Sequence, residues 1–224
     1  MTRPLAILRP APGDRATLER VHAAGLAARA TPLFTVGPLA WTPPDPAAFD
    51  ALVLTSANAV RHGGPGLAML AQLPVLAVGP QTAAAAAAAG LTVAATGDSD
   101  LAALLAGQPP QQRLLWLAGQ DRTASTHPAL RQVIPVYAST PRPLTAAEAE
   151  SLHGSVALLH SARAAQRLGT ELDRHRVPRG TVRIAGLSAA VADAAGPGWA
   201  DRAIAARPDD TALIAAARRL AIDP

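Results

Sequence analysis

The same strand-to-helix junction occurs twice in this chain, and this repetition is the strongest constraint on its fold. Each copy consists of an apolar run, a serine and a helix-tolerant stretch, LVLTSANAVR at 52–61 and VALLHSARAA at 156–165. The two serines, Ser56 and Ser161, stand 161 − 56 = 105 positions apart. An apolar run of this kind is typical of a buried parallel strand, and serine is a good cap for the first turn of a helix. We expect each junction to be a strand followed directly by a helix.

Two further pairs of segments recur at nearly the same spacing. Gly79 and Gly186 each follow an apolar run and lie 186 − 79 = 107 positions apart. Arg15 and Arg122 occur in similar turns and also lie 122 − 15 = 107 positions apart. A period this long indicates two similar domains, because the repeats of a solenoid are much shorter. Strand and helix patterns alternate along the chain, which predicts parallel sheets in an α/β fold.

Two proline-rich extended segments occupy matching positions in the two repeats, at about 31–39 and 133–140. If they pair as linker strands, the chain crosses twice between two lobes. One lobe would then consist of residues 1–33 and 141–224, and the other of residues 38–135. Because small-molecule sites occur preferentially at domain interfaces, we expect the ligand in a cleft lined by the strand–helix turns of both lobes.

Local patterns predict further elements along the chain. Apolar residues at helical spacing predict a helix over 15–29 with Asp14 as its N-cap. The Gly-Gly-Pro-Gly run at 63–66 predicts a turn, and Ser99 is the expected cap of a short helix. Another helix is predicted over about 125–132.

The chain has 224 residues and contains neither cysteine nor lysine. Without cysteine it has no disulfide, thiolate zinc site or cysteine nucleophile, and without lysine it has no P-loop. The six histidines do not show metal-ligand spacing, so we expect no metal site. The formal net charge is +4 and the arginines are dispersed, so we do not expect a nucleic-acid partner. Arginine is instead well suited to binding carboxylates.

Hydropathy and the N-terminal sequence bear on location. No segment approaches the roughly 20 apolar residues that cross a membrane. The N-terminal residues enter a strand-like run without the pattern of a signal peptide. We therefore expect a soluble, cytoplasmic protein without a membrane partner. A monomer is a separate expectation.

Several short motifs, taken together, resemble the uroporphyrinogen-III synthase family. They are TSANAV at 55–60, AVGPQTA at 77–83, VY at 136–137, the second junction serine at 161 and IAG at 184–186. Each motif is short, but their order and spacing are fairly specific and cover nearly the whole chain. The second half departs from the family pattern. There HSAR replaces the usual Thr-Ser-Pro-Ser, and GLSA replaces the usual Gly-Pro-Thr-Thr.

The resemblance implies a fold and a reaction. The fold would be α/β, with two flavodoxin-like lobes related by internal duplication and joined by a two-stranded β linker, and no cofactor would be needed. The reaction would be that of a carbon–oxygen lyase (a hydro-lyase) of tetrapyrrole and heme biosynthesis. Hydroxymethylbilane, a polycarboxylate, would lose water, invert its ring D and close to uroporphyrinogen III.

The resemblance also implies site residues. Tyr137, the only tyrosine, would be catalytic as a proton donor to the leaving hydroxyl, although an aromatic packed on a linker strand would explain it equally well. Backbone N–H groups at helix starts, and several arginines, are suited to an acidic substrate. The residues expected to bind it are Arg9, Ser56, Ala57, Asn58, Gly79, Gln81, Thr82, Arg122, Ser161, Ala162, Arg163, Gly186 and Ser188. The hydroxyl side chains among them could serve only as helix caps.

Two other interpretations of the sequence stay open. A non-catalytic, two-lobed protein that binds an anionic small molecule would use the same helix starts. A regulatory domain would keep the fold and lack the activity. Formation of the type III isomer from hydroxymethylbilane separates the enzyme from both.

Overall fold

The computed structural model describes residues 2–222 and shows a mixed α/β protein with two largely parallel sheets. The strands are β1 (Leu5–Ile7), β2 (Ala28–Ala30), β3 (Phe34–Pro38), β4 (Ala51–Leu54), β5 (Val75–Val78), β6 (Val93–Gly97), β7 (Leu114–Gly119), β8 (Leu130–Pro141), β9 (Val156–Leu159), β10 (Arg183–Gly186) and β11 (Asp201–Ile204). The helices are α1 (Gly13–Ala23), α2 (Ala57–His62), α3 (Gly64–Ala68), α4 (Pro80–Ala88), α5 (Leu101–Ala106), α6 (Ala146–Ser151), α7 (Ala162–Arg174), α8 (Ala189–Asp193) and α9 (Asp210–Ala221). The prediction of an α/β fold with parallel sheets is confirmed.

The chain divides into two compact units. The first unit joins the residues up to Thr35 with those from Pro141 onward, and the second unit is Val36–Thr140. One sheet has the strand order β11-β10-β9-β1-β2, which is the 2-1-3-4-5 order of flavodoxin-like folds when its strands are numbered along the chain. The other has the order β3-β8-β7-β4-β5-β6. In both sheets the strand of the repeated junction, β9 or β4, lies in the middle.

These central strands are buried along their whole length. In β4, Leu52 and Leu54 pack in one apolar core, whereas Ala51 and Val53 pack in another. The alternation follows from strand geometry, which turns successive side chains to opposite faces of the sheet. Because both faces of a parallel sheet are covered, such a strand needs an apolar residue at every position.

Both repeated junctions form a strand followed directly by a capped helix. Ser56 Oγ accepts a hydrogen bond from the backbone N–H of Asn58, and Ser161 Oγ accepts one from that of Ala164, each at 3.2 Å. Such a cap satisfies one of the backbone donors that a helix start leaves free, and it contributes about 1 kcal/mol to stability. The predicted strand–serine–helix units are confirmed.

The second pair of repeated segments aligns differently from the prediction. Gly79, with φ +81°, caps α4, and Ser188 caps α8 by accepting the N–H of Val191 at 3.3 Å. These caps lie 188 − 79 = 109 positions apart, so the counterpart of Gly79 is Ser188 and not Gly186. Gly186 ends β10, where an added Cβ would stand 2.7 Å from that of Ala192. Its missing side chain therefore lets α8 pack closely on the strand.

The predicted boundaries of two helices are wrong. α1 is capped at Pro12, so Asp14 lies in its first turn, where a negative charge complements the helix dipole. The same helix ends at Ala23 and does not reach residue 29, because β2 follows it. α5 is capped by Asp100, whose carboxylate accepts a backbone N–H of the first turn at 2.9 Å, and not by Ser99.

Two further predicted elements are wrong in kind. The run at 63–66 does not form a turn alone but leads into the one-turn helix α3, because Pro65 is tolerated in the first turn of a helix. The helix predicted over 125–132 does not form. Pro128 would interrupt it, and β8 begins at Leu130 in parallel pairing with β7.

The strand β8 is long enough to pair on both sides. Its first part pairs with β7. Further along, the N–H of Leu39 donates to the oxygen of Val136 at 2.9 Å, and the N–H of Arg142 donates to that of Leu33 at 2.8 Å. From the first pair to the second, the residue number falls by six in one segment and rises by six in the other. The two segments therefore run in opposite directions, so β3 is antiparallel to β8. This makes β3 the edge strand of the sheet.

Arg142 stabilises the segment that follows β8 by bonding to Pro32 and Glu148. Its Nε donates to the oxygen of Pro32 at 2.7 Å, and its two terminal nitrogens lie 3.2 and 3.0 Å from the carboxylate oxygens of Glu148. Glu148 also completes a capping box with Thr145 at the start of α6. The hydrogen bond from Arg142 and then that from the backbone of Thr145 lower the pKa of Glu148 to about 2.

Candidate functional site

A cavity of about 490 Å³ lies at the carboxyl edge of β4, β5 and β7, wholly within the second unit. Thr55 and Ser56 follow β4, Val78 ends β5 and Gly119 ends β7. All four line the cavity, together with Tyr137 from β8. In open sheets of parallel strands, ligands bind in the crevice beyond the carboxyl ends of the strands. This cavity is therefore the candidate site of the second unit.

The rest of the lining holds all of the charged side chains of the cavity. It comes from Trp116, from residues 99–102 at the start of α5 and from the irregular segment 121–125. These segments add hydroxyl groups, two carboxylates and the guanidinium of Arg122.

Tyr137 is half-buried, and its ring lies against Gly119 of the neighbouring strand. An added Cβ at Gly119 would stand 2.8 Å from Cζ and 2.9 Å from the hydroxyl oxygen of Tyr137. The Tyr137 carbonyl accepts the N–H of Gln120 at 2.8 Å, and the ring of His62 lies 6.3 Å away between centroids. Burial and then the charge of Arg61 lower the pKa of His62 below its ordinary 6.5. These contacts surround the tyrosine ring at the edge of the cavity.

Arg122 lies beside Trp116 in the cavity wall. Its Nη1 donates to the backbone oxygens of Gly119 and Gln120, each at 3.2 Å, and its Cζ lies 6.0 Å from the centroid of the Trp116 ring. Trp116 Nε1 in turn donates to Thr55 Oγ1 at 3.2 Å. Sequence reasoning did not single out Trp116. The available signal was a tryptophan in an otherwise aliphatic strand, because a buried indole N–H needs an acceptor nearby.

The cavity brings together Ser56, Arg122 and Tyr137, three of the predicted site residues. The other predicted residues of the second unit lie at the starts of α2 and α4 and do not contribute to the lining. They are Ala57, Asn58, Gly79, Gln81 and Thr82. Among them the side chain of Thr82 is buried, whereas Gln81 is exposed.

The predicted residues of the first unit lie mostly at the starts of α7 and α8. Ser161 caps α7, and the two residues after it, Ala162 and Arg163, are exposed. The guanidinium carbon of Arg163 lies 4.9 Å from the centroid of the Phe34 ring. Ser188 caps α8. These side chains therefore have a local structural role, and contact with a ligand stays a prediction.

Arg9, the remaining predicted residue, belongs to a cluster around Asp210 at the carboxyl edge of β1 and β9. Arg9 Nη1 lies 3.3 Å and Arg20 Nη1 2.7 Å from the carboxylate oxygens. Thr17 Oγ1 donates to the same carboxylate at 2.8 Å, and His160 Nε2 lies 2.9 Å from it. The hydrogen bond with His160 is the main cause that lowers the pKa of Asp210 far below its ordinary value. Arg9 therefore has a carboxylate partner inside its own unit.

Sequence reasoning found Arg9 but missed Asp210. The sequence feature that could have pointed to Asp210 is the Asp-Asp pair at the start of α9. Asp209 caps the helix, so the carboxylate of Asp210 can bond to another partner. His160 is largely buried, and within residues 2–222 its Nδ1 has no hydrogen-bond partner. Alternation of strands and helices places the ends of β1 and β9 and the start of α9 at one edge of the sheet.

The described part of the chain shows neither a metal cluster nor a membrane-spanning helix. Among residues 2–222, no group of three or more His, Asp or Glu side chains is placed to hold a metal ion. Over the same range, no helix combines the length and the hydropathy needed to cross a membrane.

A family model described as uroporphyrinogen-III synthase HemD matches residues 16–215, which is 215 − 16 + 1 = 200 of the 224 residues. The chain belongs to the uroporphyrinogen-III synthase family. The resemblance of its sequence motifs to this family is thereby confirmed. Members of the family are enzymes of heme and other tetrapyrrole biosynthesis.

Solved structures of the uroporphyrinogen-III synthase family show the same fold. The uroporphyrinogen-III synthetase of Helicobacter pylori 26695 aligns with 97% of this chain and 99% of its own, at 18% identity and a TM-score of 0.68. A mutant uroporphyrinogen III synthase of the extreme thermophile Thermus thermophilus aligns with 97% of this chain and 98% of its own, at 18% identity and a TM-score of 0.54. No curated protein sequence matches this chain significantly.

Proposed function

We propose that the chain is a uroporphyrinogen-III synthase, a carbon–oxygen lyase that converts hydroxymethylbilane into uroporphyrinogen III. The reaction removes the hydroxyl group as water, inverts ring D and closes the macrocycle. The family match over residues 16–215 carries this proposal. The cavity at the strand ends of the second unit supports it, because it holds a tyrosine, an arginine and many hydroxyl groups in one place.

We propose that Tyr137 donates a proton to the departing hydroxyl. A hydroxide ion is a poor leaving group, so loss of the hydroxyl requires a donor close to its oxygen. The O–H group of a phenol can donate a proton. The side chain of Tyr137 is half-buried and lines the cavity, which fits this role. In this role Tyr137 assists the step and is not an indispensable acid.

We propose that the carboxylates of the substrate are bound by helix starts and by arginines. Each exposed helix N-terminus stabilises an anion by roughly 0.3–1 kcal/mol, so several are needed. The capped starts of α2, α4, α7 and α8 are the ones that the motifs predict. Arg122 Nη1 bonds to two backbone oxygens, which leaves Nη2 and Nε as the donors for a carboxylate. Folding the substrate so that its ends meet can account for roughly 7–11 kcal/mol of a barrier.

We also propose that the two units arose by internal duplication, with lobes of residues 1–33 plus 141–224 and residues 38–135. The equal placement of β9 and β4 in their sheets supports this. So does the capped helix that follows each of them. We further propose that the protein is a monomer, which light scattering would test. We also propose that it needs no cofactor, which an activity assay of the metal-free protein would test.

The experiment that tests the function is an isomer assay. The purified chain is incubated with hydroxymethylbilane generated enzymatically, and the uroporphyrin isomers are separated after oxidation. Type III isomer in excess over a protein-free control is the expected result. Only the type I isomer, which forms spontaneously, would overturn the enzyme and favour a binding or regulatory protein.

A further inference from the structure

The pairing of β7 with β8 is irregular where it reaches the cavity. Leu117 pairs with Ile134 and Ala118 with Pro135, but Gly119 pairs with Tyr137, so one residue of β8 is skipped. This is a β-bulge, a feature that bends a strand and re-aims a side chain. Proline occurs in sheets mainly at edges and bulges because it lacks an N–H donor, so Pro135 fits this place.

The bulge changes the face of the sheet on which Tyr137 lies. In a regular strand, Val136 and Tyr137 would point to opposite faces. Val136 instead belongs to the same core cluster as Leu117, and Tyr137 packs against that cluster, as Ile134 does. Gly119 alternates with Ala118, which packs in the other cluster, so a side chain at Gly119 would point toward the tyrosine ring.

The ring of Tyr137, and not the backbone conformation, is the reason that position 119 has room only for glycine. The φ of Gly119 does not lie in the left-handed region, so an alanine there has no backbone strain. Yet an added Cβ would stand 2.8, 2.9 and 3.1 Å from Cζ, the hydroxyl oxygen and Cε2 of Tyr137. Real Cβ atoms essentially never approach other heavy atoms within 3.0 Å. The ring of Tyr137 therefore occupies the space of the missing side chain.

We propose that Gly119 is a positioning residue that, together with the bulge, fixes the hydroxyl of Tyr137 at the cavity. Any side chain at this position displaces the tyrosine ring. The placement of the ring follows from the structure alone. Its consequence for turnover rests on the proposed function, so the two are tested by separate measurements.

The placement is tested without any assay of activity. Because Tyr137 is the only tyrosine, 3-fluorotyrosine gives a single ¹⁹F resonance that reports on this ring. Gly119→Ala is expected to shift that resonance by more than its line width. The matched control is Gly37→Ala, in the strand β3 that flanks β8 on its other side, where an added Cβ meets no heavy atom within 4 Å. An unchanged resonance in Gly119→Ala, or an equal shift in the control, would overturn the proposal.

A second measurement covers the case in which Gly119→Ala folds poorly. In the background Tyr137→Ala the ring is gone, so the added methyl group has space. In the wild-type background, Gly119→Ala is expected to lower the urea concentration at the midpoint of unfolding. In the Tyr137→Ala background, the same substitution is expected to change that midpoint little. An equal fall in both backgrounds would assign Gly119 to the backbone and overturn the proposal.

The catalytic consequence is tested by kinetics. Gly119→Ala is expected to lower kcat about tenfold and to change KM less than about twofold, because a misplaced donor slows the chemical step more than binding. In the background Tyr137→Phe the same substitution is expected to change kcat less than about twofold. Equal losses in both backgrounds would contradict the role in turnover. If the wild-type chain makes no type III isomer, the proposed function fails, while the ¹⁹F and urea results still decide the position of the ring.

Discussion

At the carboxyl edge of the sheet in the second unit, the strand ends border a cavity, whereas in the first unit they surround the carboxylate of Asp210. Thr55 and His160 occupy the same place in the two junctions, one residue before the capping serine. Thr55 accepts a hydrogen bond from Trp116, and His160 bonds to Asp210. The two edges show that a repeated backbone junction can either leave a cavity or hold an ion cluster, depending on a few side chains.

The comparison also separates two arginines that the sequence treats alike. Arg9 is balanced by a carboxylate of its own unit, at 3.3 Å. Arg122 bonds to backbone oxygens, which carry no formal charge, and lines the cavity. A carboxylate of the proposed substrate would therefore gain more from Arg122, because it would have to compete with Asp210 for Arg9.

The largest expected effect concerns the ion cluster of the first unit. Asp210→Asn is expected to lower the free energy of unfolding by about 3 kcal/mol, because this carboxylate is largely buried and bonds to Arg9, Arg20, Thr17 and His160. The measurement is urea unfolding at pH 7. The matched control is Asp193→Asn, which removes an exposed pair with Arg202 and should cost less than about 0.5 kcal/mol. Equal losses would show that the cluster is no more than a surface ion pair.

The same variant has a defined pH dependence. The pKa of Asp210 is lowered in the folded chain, so its stabilisation is present above the pKa of the unfolded state, about 4, and is lost as the pH falls below it. Wild type should therefore lose stability between pH 5 and pH 3 more steeply than Asp210→Asn. Parallel curves of unfolding free energy against pH would contradict this.

The next effect concerns the cavity of the second unit. Tyr137→Phe is expected to slow turnover at least about tenfold, or about 1.4 kcal/mol in the barrier, because it removes the proposed proton donor while the ring stays. Its urea midpoint should stay close to wild type. Initial rates of type III isomer formation provide the measurement. Activity near that of wild type would remove Tyr137 from the mechanism and leave it as a packing residue.

A smaller effect should distinguish the two arginines. Arg122→Gln is expected to raise KM about fivefold through loss of a charge-assisted hydrogen bond worth about 1 kcal/mol. Arg9→Gln should mainly lower the free energy of unfolding, because its partner Asp210 loses one of its cations. Both variants are compared by steady-state kinetics and by urea unfolding. A larger rise in KM for Arg9→Gln would reverse the comparison and return Arg9 to the binding site.

Local patterns were sufficient to predict the junctions but not the contacts around the site. The apolar strand β4 and the cap Ser56 depend on a few adjacent residues, so both could be read from the sequence. The contact of Gly119 with Tyr137 depends on a bulge between strands whose register the sequence does not specify. The partner of Arg9 lies 201 positions away in the chain, and no local pattern connects it with Asp210.

The smallest expected effect tests whether acid sensitivity belongs to the edge of the sheet or to the first unit in general. Glu148 lies in the same unit as Asp210, but it bonds to Arg142 and to the start of α6, and its pKa is lowered to about 2. Its stabilisation is present above the unfolded pKa of about 4.3 and is lost as the pH falls toward 2. Because this side chain is about one-third exposed, Glu148→Gln should cost less than about 1 kcal/mol at pH 7. The measurement is unfolding free energy against pH beside Asp210→Asn. Glu148→Gln could reduce the loss of unfolding free energy at low pH more than Asp210→Asn does. That result would assign the acid sensitivity to the ion pair of Arg142 with Glu148 and not to the cluster around Asp210.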